Sequence, residues 1–258
     1  MRWAFITDIH ANRQAFEAVL ADARAQGATH FALLGDFVGY GADPAWVLDQ
    51  VMALVADGAL AVQGNHDEAV AHGSTPHMHP DARSVVDWTH AQLSEAQLGF
   101  LQRLPLQAQG EPGKLLFVHA NAYDPKGWEY VQGRAEAVKS LHAHPARIQV
   151  CGHMHDPMLF HLSGTGKAGD FRPVPGVPVP LPGHRQWLVI PGACGQPRDA
   201  NPAACYALLD PPRSDLDDAR LTFQRVAYDV DAACAALRAT TLPPPIVERL
   251  TRRLSQGE

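Results

Sequence analysis

The fold is decided by residues 3–12, Trp-Ala-Phe-Ile-Thr-Asp-Ile-His-Ala-Asn, which join a short apolar run directly to Asp8 and His10. Such a run, with aromatic and β-branched side chains, is typical of a buried strand. Residues 12–24 follow with apolar residues at helical spacing. This strand-loop-helix order predicts a largely parallel sheet covered by helices, in which ligands bind beyond the carboxyl ends of the strands.

The same pattern recurs four times, because each of four later apolar runs also ends at a polar side chain that can bind a metal. These runs are residues 31–34, 60–62, 114–118 and 148–151. The polar residues that follow the five runs are Asp8 and His10, then Asp36, then Asn65 and His66, then His119, and finally His153 and His155. Strand ends of one sheet meet in space, so we expect these side chains to share one site.

The second half of the chain is richer in strands, which are expected at residues 158–162, 187–190, 205–209 and 221–226. Between them, residues 163–185 are rich in Gly and Pro and predict a surface loop or an irregular hairpin excursion. We therefore expect one domain over residues 1–230. Residues 231–258 should form a C-terminal helical extension packed on or near it.

Composition excludes several classes of function. The chain has 258 residues, 46% of them hydrophobic and 19% charged, and a net charge of −6 with neutral histidines. A basic field for nucleic-acid binding is therefore missing from the sequence. An apolar run of the ~18 residues that span a bilayer is missing as well. The four cysteines are widely spaced, which favours reduced thiols in a cytoplasmic protein. The oligomeric state stays open.

The residue types at the strand ends point to a pair of divalent cations. Carboxylate or amide oxygen combined with imidazole nitrogen suits Mn, Fe or Zn, and the lack of thiolate argues against a structural zinc site. Two such cations ~3.5–4 Å apart need one carboxylate that bridges them. Chance is a poor explanation, since Gly-Asn-His is expected about 0.02 times and Gly-His-x-His about 0.06 times in such a chain.

Together these motifs resemble the signature of the calcineurin-like metallophosphoesterases over roughly residues 1–230. The motifs are Asp8-x-His10, Gly35-Asp36, Gly64-Asn65-His66-Asp67, Val118-His119 and Gly152-His153-x-His155. More locally, residues 8–12, 35–41 and 191–199 resemble a small bacterial branch described as phosphodiesterase-like or diadenosine-tetraphosphatase-like. The resemblance implies an α/β (α+β) fold, a four-layer α-β-β-α sandwich of two mixed sheets flanked by helices, with metals at the carboxyl ends of the strands.

The resemblance also implies which residues hold the two cations. One would be held by Asp8, His10, Asp36 and His155, and the other by Asp36, Asn65, His119 and His153. Asp36 would bridge, and a hydroxide between the cations would attack phosphorus. His66 is the expected general acid for the leaving oxygen, and the alternative for His66 is an ordinary structural histidine.

One departure from the family pattern bears on the substrate. Phosphoprotein phosphatases of the family carry Gly-Asp-x-Val-Asp-Arg-Gly, whose Arg grips phosphate, and here Gly39 and Tyr40 stand at the Asp-Arg positions. A phosphomonoester dianion would miss that positive charge more than a diester monoanion would. A phosphodiester or a nucleotide of the dinucleoside polyphosphate kind is therefore favoured over a phosphomonoester or a phosphoprotein.

Other readings and weaker candidates stay open. A catalytically silent, metal-dependent interaction scaffold is the alternative of another class, and a di-iron oxygenase fits the ligand set poorly. Asp67 could support His66. Candidate substrate contacts are Asn12, Arg13, Tyr40 and Arg198. Against these, Arg13 could be a solvated helix residue, Tyr40 could pack under a loop, and Arg198 could pair with Asp199.

Overall fold

The computed structural model describes residues 1–111, 113–212 and 218–258. The strands are β1 Trp3–Ile6, β2 His30–Leu33, β3 Leu60–Ala61, β4 Gln107–Gly110, β5 Leu115–Val118, β6 Ile148–Val150, β7 Met158–Ser163, β8 Ala168–Phe171, β9 Val179–Leu181, β10 Arg185–Ile190, β11 Ala204–Asp210 and β12 Ala219–Val226. The helices are α1 Arg13–Ala25, α2 Pro44–Ala56, α3 Asn65–His72, α4 Pro80–Ala91, α5 Glu95–Arg103, α6 Arg134–Ala143, α7 Val230–Arg238 and α8 Pro244–Gln256.

The strands form two mixed six-stranded sheets. The first has the order β3-β2-β1-β11-β12-β9, and the second has the order β4-β5-β6-β10-β7-β8. In each sheet the strands that end at candidate metal ligands pair in parallel. These pairs are β1 with β2, β2 with β3, β5 with β6, and β6 with β10. The predicted sandwich of two mixed sheets flanked by helices is therefore confirmed.

Alternation along β1 shows how one strand serves two layers. Trp3 and Phe5 point into the core between the sheets, where the ring of each lies 5.6 Å from that of Phe117 on β5. Ala4 and Ile6 point the other way, into the core under the helices of the first sheet. Successive side chains of a strand face opposite sides, so a strand that is apolar throughout must be covered on both faces.

The second sheet repeats this arrangement. Leu115 and Phe117 of β5 join the core between the sheets, whereas Leu116 and Val118 pack with Leu141 of α6 on the outer face. The strand ends that carry the candidate metal ligands are thus rigidly supported from both sides.

Residues 163–185 differ in part from the prediction. Residues 168–171 form β8, which pairs antiparallel with β7, so the hairpin alternative is right for this part. Residues 179–181 form β9, which crosses to the other sheet and pairs with β12, with Val179 opposite Leu221. The Gly- and Pro-rich composition concealed this strand, because a three-residue edge strand tolerates Pro180 and leaves almost no periodic signal.

The C-terminal helices α7 and α8 lie where two helices were expected. Leu237 of α7 and Leu250 of α8 share an apolar cluster with Val85 of α4, and Tyr40 and Trp88 pack against it. The C-terminal segment therefore contacts the loop that follows β2. The division into a domain and an extension at residue 230 stays a prediction.

Two further findings concern membrane-spanning helices and the state of the cysteines. In the described ranges, no helix is both long and apolar enough to cross a bilayer. The four cysteines are buried free thiols. The cytoplasmic location stays a prediction.

Candidate metal centre

The candidate ligands lie on sharp turns at the strand ends. Asp8, His10, Asp36, His153 and His155 all have a positive φ, between +49° and +66°. Non-glycine residues adopt this left-handed conformation rarely and at a cost in energy, and such residues cluster at functional sites. Backbone hydrogen bonds hold two of the turns together, because the amide of Asp8 donates to Gly35 O (3.1 Å) and that of His10 to Asp36 O (2.9 Å).

One group of ligands is built from the ends of β1 and β6. Nε2 of His10 lies 3.2 Å from Nε2 of His155, which in turn lies 3.2 Å from Oδ1 of Asp8. The three side chains are almost fully buried. The carboxylate of Asp8 is oriented by Thr7, whose hydroxyl donates to Oδ2 (2.8 Å), and by the amide of His153 (3.0 Å).

A second group comes from the ends of β3, β5 and β6. Nε2 of His119 lies 3.2 Å from Oδ1 of Asn65 and 3.2 Å from Nδ1 of His153. These residues are distant in sequence, and only the convergence of the strand ends brings them together.

Asp36 lies between the two groups. Its Oδ2 is 3.7 Å from Nε2 of His10 and 3.4 Å from Nε2 of His119, and its Oδ1 accepts from the amide of His66 (2.8 Å). A β-carbon at Gly64 would come within 2.2 Å of Oδ1 of Asp36, so only glycine lets the loop before Asn65 approach so closely. All seven predicted ligands thereby lie in one site, in which Asn65 is half-buried and the other six are buried.

The imidazoles are oriented as those of a cation site are. In each ring, the nitrogen that faces away from the site lies within hydrogen-bonding distance of a backbone carbonyl. The pairs are His10 Nδ1 with Val38 O (3.2 Å), His119 Nδ1 with Leu34 O (2.7 Å), His153 Nε2 with Trp128 O (3.0 Å) and His155 Nδ1 with Gln196 O (2.5 Å). An N–H that donates to a carbonyl fixes the tautomer and directs the other nitrogen to the site, as in metal-binding histidines. Together with the carboxylates, these inner nitrogens form sets of donor atoms that could each hold an ion.

The buried carboxylates make the site negative, and they favour a positive charge beside them. Burial would raise the pKa of Asp36, but His119 and His66 hold it well below its usual range. Burial would lower the pKa of His119, but Asp36 raises it to about 9. Burial and the neighbouring His119 lower the pKa of His153 to about 4. In the protein alone, a proton on His119 therefore balances the carboxylates where a cation could do so.

His66 lies at the edge of this site, with its ring 5.0 Å from that of His10 and 4.5 Å from that of Tyr40. Burial lowers the pKa of His66, and Asp36 opposes this shift. One nitrogen of His66 also lies within 4.8 Å of ligand atoms on His10 and Asp36, so the ring is beside the centre as a proton donor must be.

Asp67 has contacts other than the predicted support of His66. Its Oδ1 accepts from the amide of Phe37 (2.9 Å) and its Oδ2 from the amide of Gly64 (3.0 Å). Burial, together with Asp36, raises the pKa of Asp67 to about 7. The hydrogen bonds of this carboxylate within the described ranges all involve backbone amides, so Asp67 ties the loop after β2 to the start of α3.

The side chains of Asn12 and Arg13 are engaged with other groups of the protein, and their role as substrate contacts stays a prediction. Asn12 is buried, caps α1 by accepting from the amide of Ala15 (3.1 Å), and donates to Gly195 O (2.8 Å). Arg13 pairs with Glu17 at 3.1 Å on the exposed face of α1 and lies over the ring of Trp46.

Tyr40 lies beside the site, and Arg198 follows the loop that contains Gln196. The Tyr40 ring packs 4.6 Å from that of His10 as well as on His66, and its role as a substrate contact stays a prediction. The expected partner of Arg198, Asp199, instead forms an ion pair with Arg225. Burial raises the pKa of Tyr40, and Arg198 opposes this shift.

Two aromatic residues of the site gave no signal in the sequence. Trp128 has a positive φ of +53° and accepts from His153 through its carbonyl, and its indole N–H donates to Glu68 (3.1 Å). The Tyr130 ring stacks on His153 with centroids 4.0 Å apart and planes at 9°. Both lie in a segment outside the strands and helices, so no periodicity or strand end marked them.

Known proteins resemble this chain over most of its length. The model of the calcineurin-like phosphoesterase superfamily domain matches residues 1–213. An uncharacterised protein of Methanocaldococcus jannaschii is 32% identical over 251 residues, which cover 96% of each chain. A metallophosphoesterase from Sphaerobacter thermophilus is 34% identical, with a TM-score of 0.84 over the whole of both chains.

A hypothetical protein from Pyrococcus horikoshii shares the fold, with a TM-score of 0.72 and 19% identity over 96% of this chain and 97% of that one. The extent of the family match and the identity to full-length relatives agree with the motifs at the strand ends. The chain therefore belongs to the calcineurin-like phosphoesterase superfamily and is a phosphoric ester hydrolase.

Proposed function

We propose that the chain uses two divalent cations, drawn from Mn, Fe and Zn, to hydrolyse a phosphodiester or a nucleotide of the dinucleoside polyphosphate kind. One cation is held by Asp8, His10, Asp36 and His155. The other is held by Asp36, Asn65, His119 and His153. The substrate is a small phosphoester.

The observation that carries this proposal is the position of Asp36 between two groups of inward-facing imidazole nitrogens. Its Oδ2 lies 3.7 Å from His10 and 3.4 Å from His119, so one carboxylate serves both groups. Each group also contains a second imidazole, His155 or His153, at 3.2 Å. Nitrogen and oxygen ligands without thiolate suit Mn, Fe and Zn.

The chemistry that such a pair supplies is an activated water at neutral pH and neutralisation of charge on the phosphate oxygens. His66 donates a proton to the leaving oxygen, because its ring lies beside the centre and no other unassigned histidine does so among the described residues. The backbone amide of His66 donates to Asp36, which fixes the start of α3 relative to the ligands.

The preference for a diester or nucleotide is supported by the residues at positions 39 and 40. Gly39 offers no carboxylate to orient His66, and Tyr40 offers no charge to the phosphate. The Tyr40 ring instead fills the space against His10 and His66. A phosphomonoesterase or a protein Ser/Thr phosphatase is the second candidate.

The test compares bis-p-nitrophenyl phosphate with p-nitrophenyl phosphate in the presence of Mn²⁺, Fe²⁺ or Zn²⁺. We expect the diester to be the better substrate. Its hydrolysis should be lost in Asn65→Ala, which removes a metal ligand, and lowered in His66→Ala. Wild-type activity in both variants would overturn the mechanism, and faster hydrolysis of the monoester would favour the second candidate.

The scaffold alternative predicts a different result from the same proteins. A scaffold would retain bound metal in the wild-type chain and hydrolyse no member of a broad phosphoester and nucleotide panel. Metal content is therefore measured on each sample that is assayed, so that absence of turnover is separated from absence of metal.

A further inference from the structure

Two arginines from distant parts of the chain lie on segments that backbone hydrogen bonds join to each other beside the candidate metal centre. Arg198 follows a loop that is fixed to the metal centre, since Gly195 donates to Asp8 O (2.9 Å) and Gln196 O lies 2.5 Å from Nδ1 of His155. Burial raises the pKa of Tyr40, and both arginines oppose this shift. Arg198 also lowers the pKa of His66. Arg253 is the second arginine.

The last turns of α8, which contain Arg253, lie close to the same loop. Leu250 and Leu254 line a small cavity together with His10 and Tyr40, and Arg253 precedes Leu254 in the same helix. The end of the helix is joined to the loop that carries Arg198, because the amide of Ala200 donates to Gly257 O (2.9 Å). The two arginines are therefore held in a common unit beside the site.

Neither guanidinium has a protein partner within residues 1–111, 113–212 and 218–258. No salt bridge or side-chain hydrogen bond among these residues involves Arg198 or Arg253. The nearest acidic residues in sequence are engaged elsewhere. Asp199 pairs with Arg225, and Glu258 pairs with Arg252 at 3.5 Å. Both arginines are half-buried, so they remain accessible to a ligand.

We propose that Arg198 and Arg253 form a subsite for a second phosphate group, so that the substrate is a compound with linked phosphates, such as a nucleoside or dinucleoside polyphosphate. This inference rests on the proposed function, in which the scissile phosphate lies on the cations. The contacts among the candidate ligands include neither arginine, so the arginines offer their charge to a part of the substrate beyond the scissile phosphate. Arginine suits this task because its planar fork binds phosphate oxygens in a bidentate manner.

The test measures dissociation constants of orthophosphate and pyrophosphate by calorimetry at a fixed concentration of free Mn²⁺. We expect the wild-type protein to bind pyrophosphate more tightly than orthophosphate. In Arg198→Ala/Arg253→Ala this preference should fall by about tenfold or more, since charge-assisted hydrogen bonds are lost. The affinity for orthophosphate should change little.

Matched controls are Arg252→Ala, which removes the neighbouring arginine of the same helix, and Arg13→Ala, which removes an arginine that pairs on α1. Both should retain the wild-type preference. Arg198→Gln and Arg253→Gln keep much of the side-chain volume and serve if an alanine variant lowers the unfolding temperature.

A preference for pyrophosphate that is unchanged in the double variant would overturn the subsite. An equal loss of affinity for both ligands would also overturn it, because the arginines would then act on the phosphate at the cations. Failure of the proposed function is distinguishable, since it appears as absence of bis-p-nitrophenyl phosphate hydrolysis in the wild-type protein, whereas the subsite is read from binding.

Discussion

The imidazole of His66 lies directly against Gly39: a β-carbon at residue 39 would come within 2.7 Å of Nδ1 of His66. Gly39 also has a φ of +86°, which favours glycine. Together with the rings of Tyr40 and His10, this contact confines the imidazole on three sides. His66 is thus positioned by packing.

Gly39→Ala should therefore lower turnover while metal content is retained. The new methyl group displaces the His66 ring, and the left-handed backbone costs about 1–2 kcal/mol of stability. Gly58→Ala is the matched control, since Gly58 has a φ of +98° and open space around its β-carbon position. Both variants should lose similar stability in thermal unfolding, and equal hydrolysis rates in the two would contradict the prediction.

His66→Ala should slow the hydrolysis of esters with poor leaving groups more than that of bis-p-nitrophenyl phosphate. Protonation by a general acid contributes about 10²–10⁴-fold when the leaving group is a strong base, and less when it is nitrophenolate. The measurement is kcat over a series of diesters with leaving groups of increasing pKa. His72→Ala, at the exposed end of the same helix, is the control, and a uniform loss across the series would argue against proton donation.

Asp36→Ala should lose more metal than Asp8→Ala. Asp36 lies within reach of both imidazole groups, whereas Asp8 contacts the group that contains His155. We expect about two cations in the wild-type protein, about one in Asp8→Ala and almost none in Asp36→Ala, measured by elemental analysis after dialysis. Asp87→Ala, exposed on α4, should match the wild type. Equal metal loss in the two site variants would rule out a shared role for Asp36.

Cation binding should release a proton at neutral pH. The pKa of His119 is raised to about 9 by Asp36, so this imidazole is protonated below that pH and must lose its proton to become a ligand. Affinity for Mn²⁺ should therefore rise with pH and level off above about 9. Calorimetry at pH 7.5 in buffers of different ionisation enthalpy should give a release of about one proton, which decreases in His119→Gln. Heats that do not depend on the buffer would contradict this assignment.

The candidate site was largely predictable because its signals are local. Each buried strand is marked by a run such as residues 3–6, and the metal-competent residue follows it within a few positions. Strand ends of one sheet must meet, so Asp8 and Asp36 could be placed together without knowledge of the structure. His119 follows β5 of the other sheet, and its position beside them depends on how the two sheets pack. Helix α5 and strand β4 were not predicted, since α5 is short and β4, Gln107–Gly110, lacks an apolar pattern.

The sequence alone therefore determined the set of residues at the strand ends, because residue type and period act over a few positions. The resemblance of these motifs to a known superfamily implied the two mixed sheets. Only the tertiary structure decided what surrounds these residues. Tyr130 stacks on His153, and Leu254, from the other end of the chain, lines a cavity together with Tyr40. Such contacts depend on how loops and the last helix pack over long sequence separations, and the local pattern of the chain carries no record of that packing.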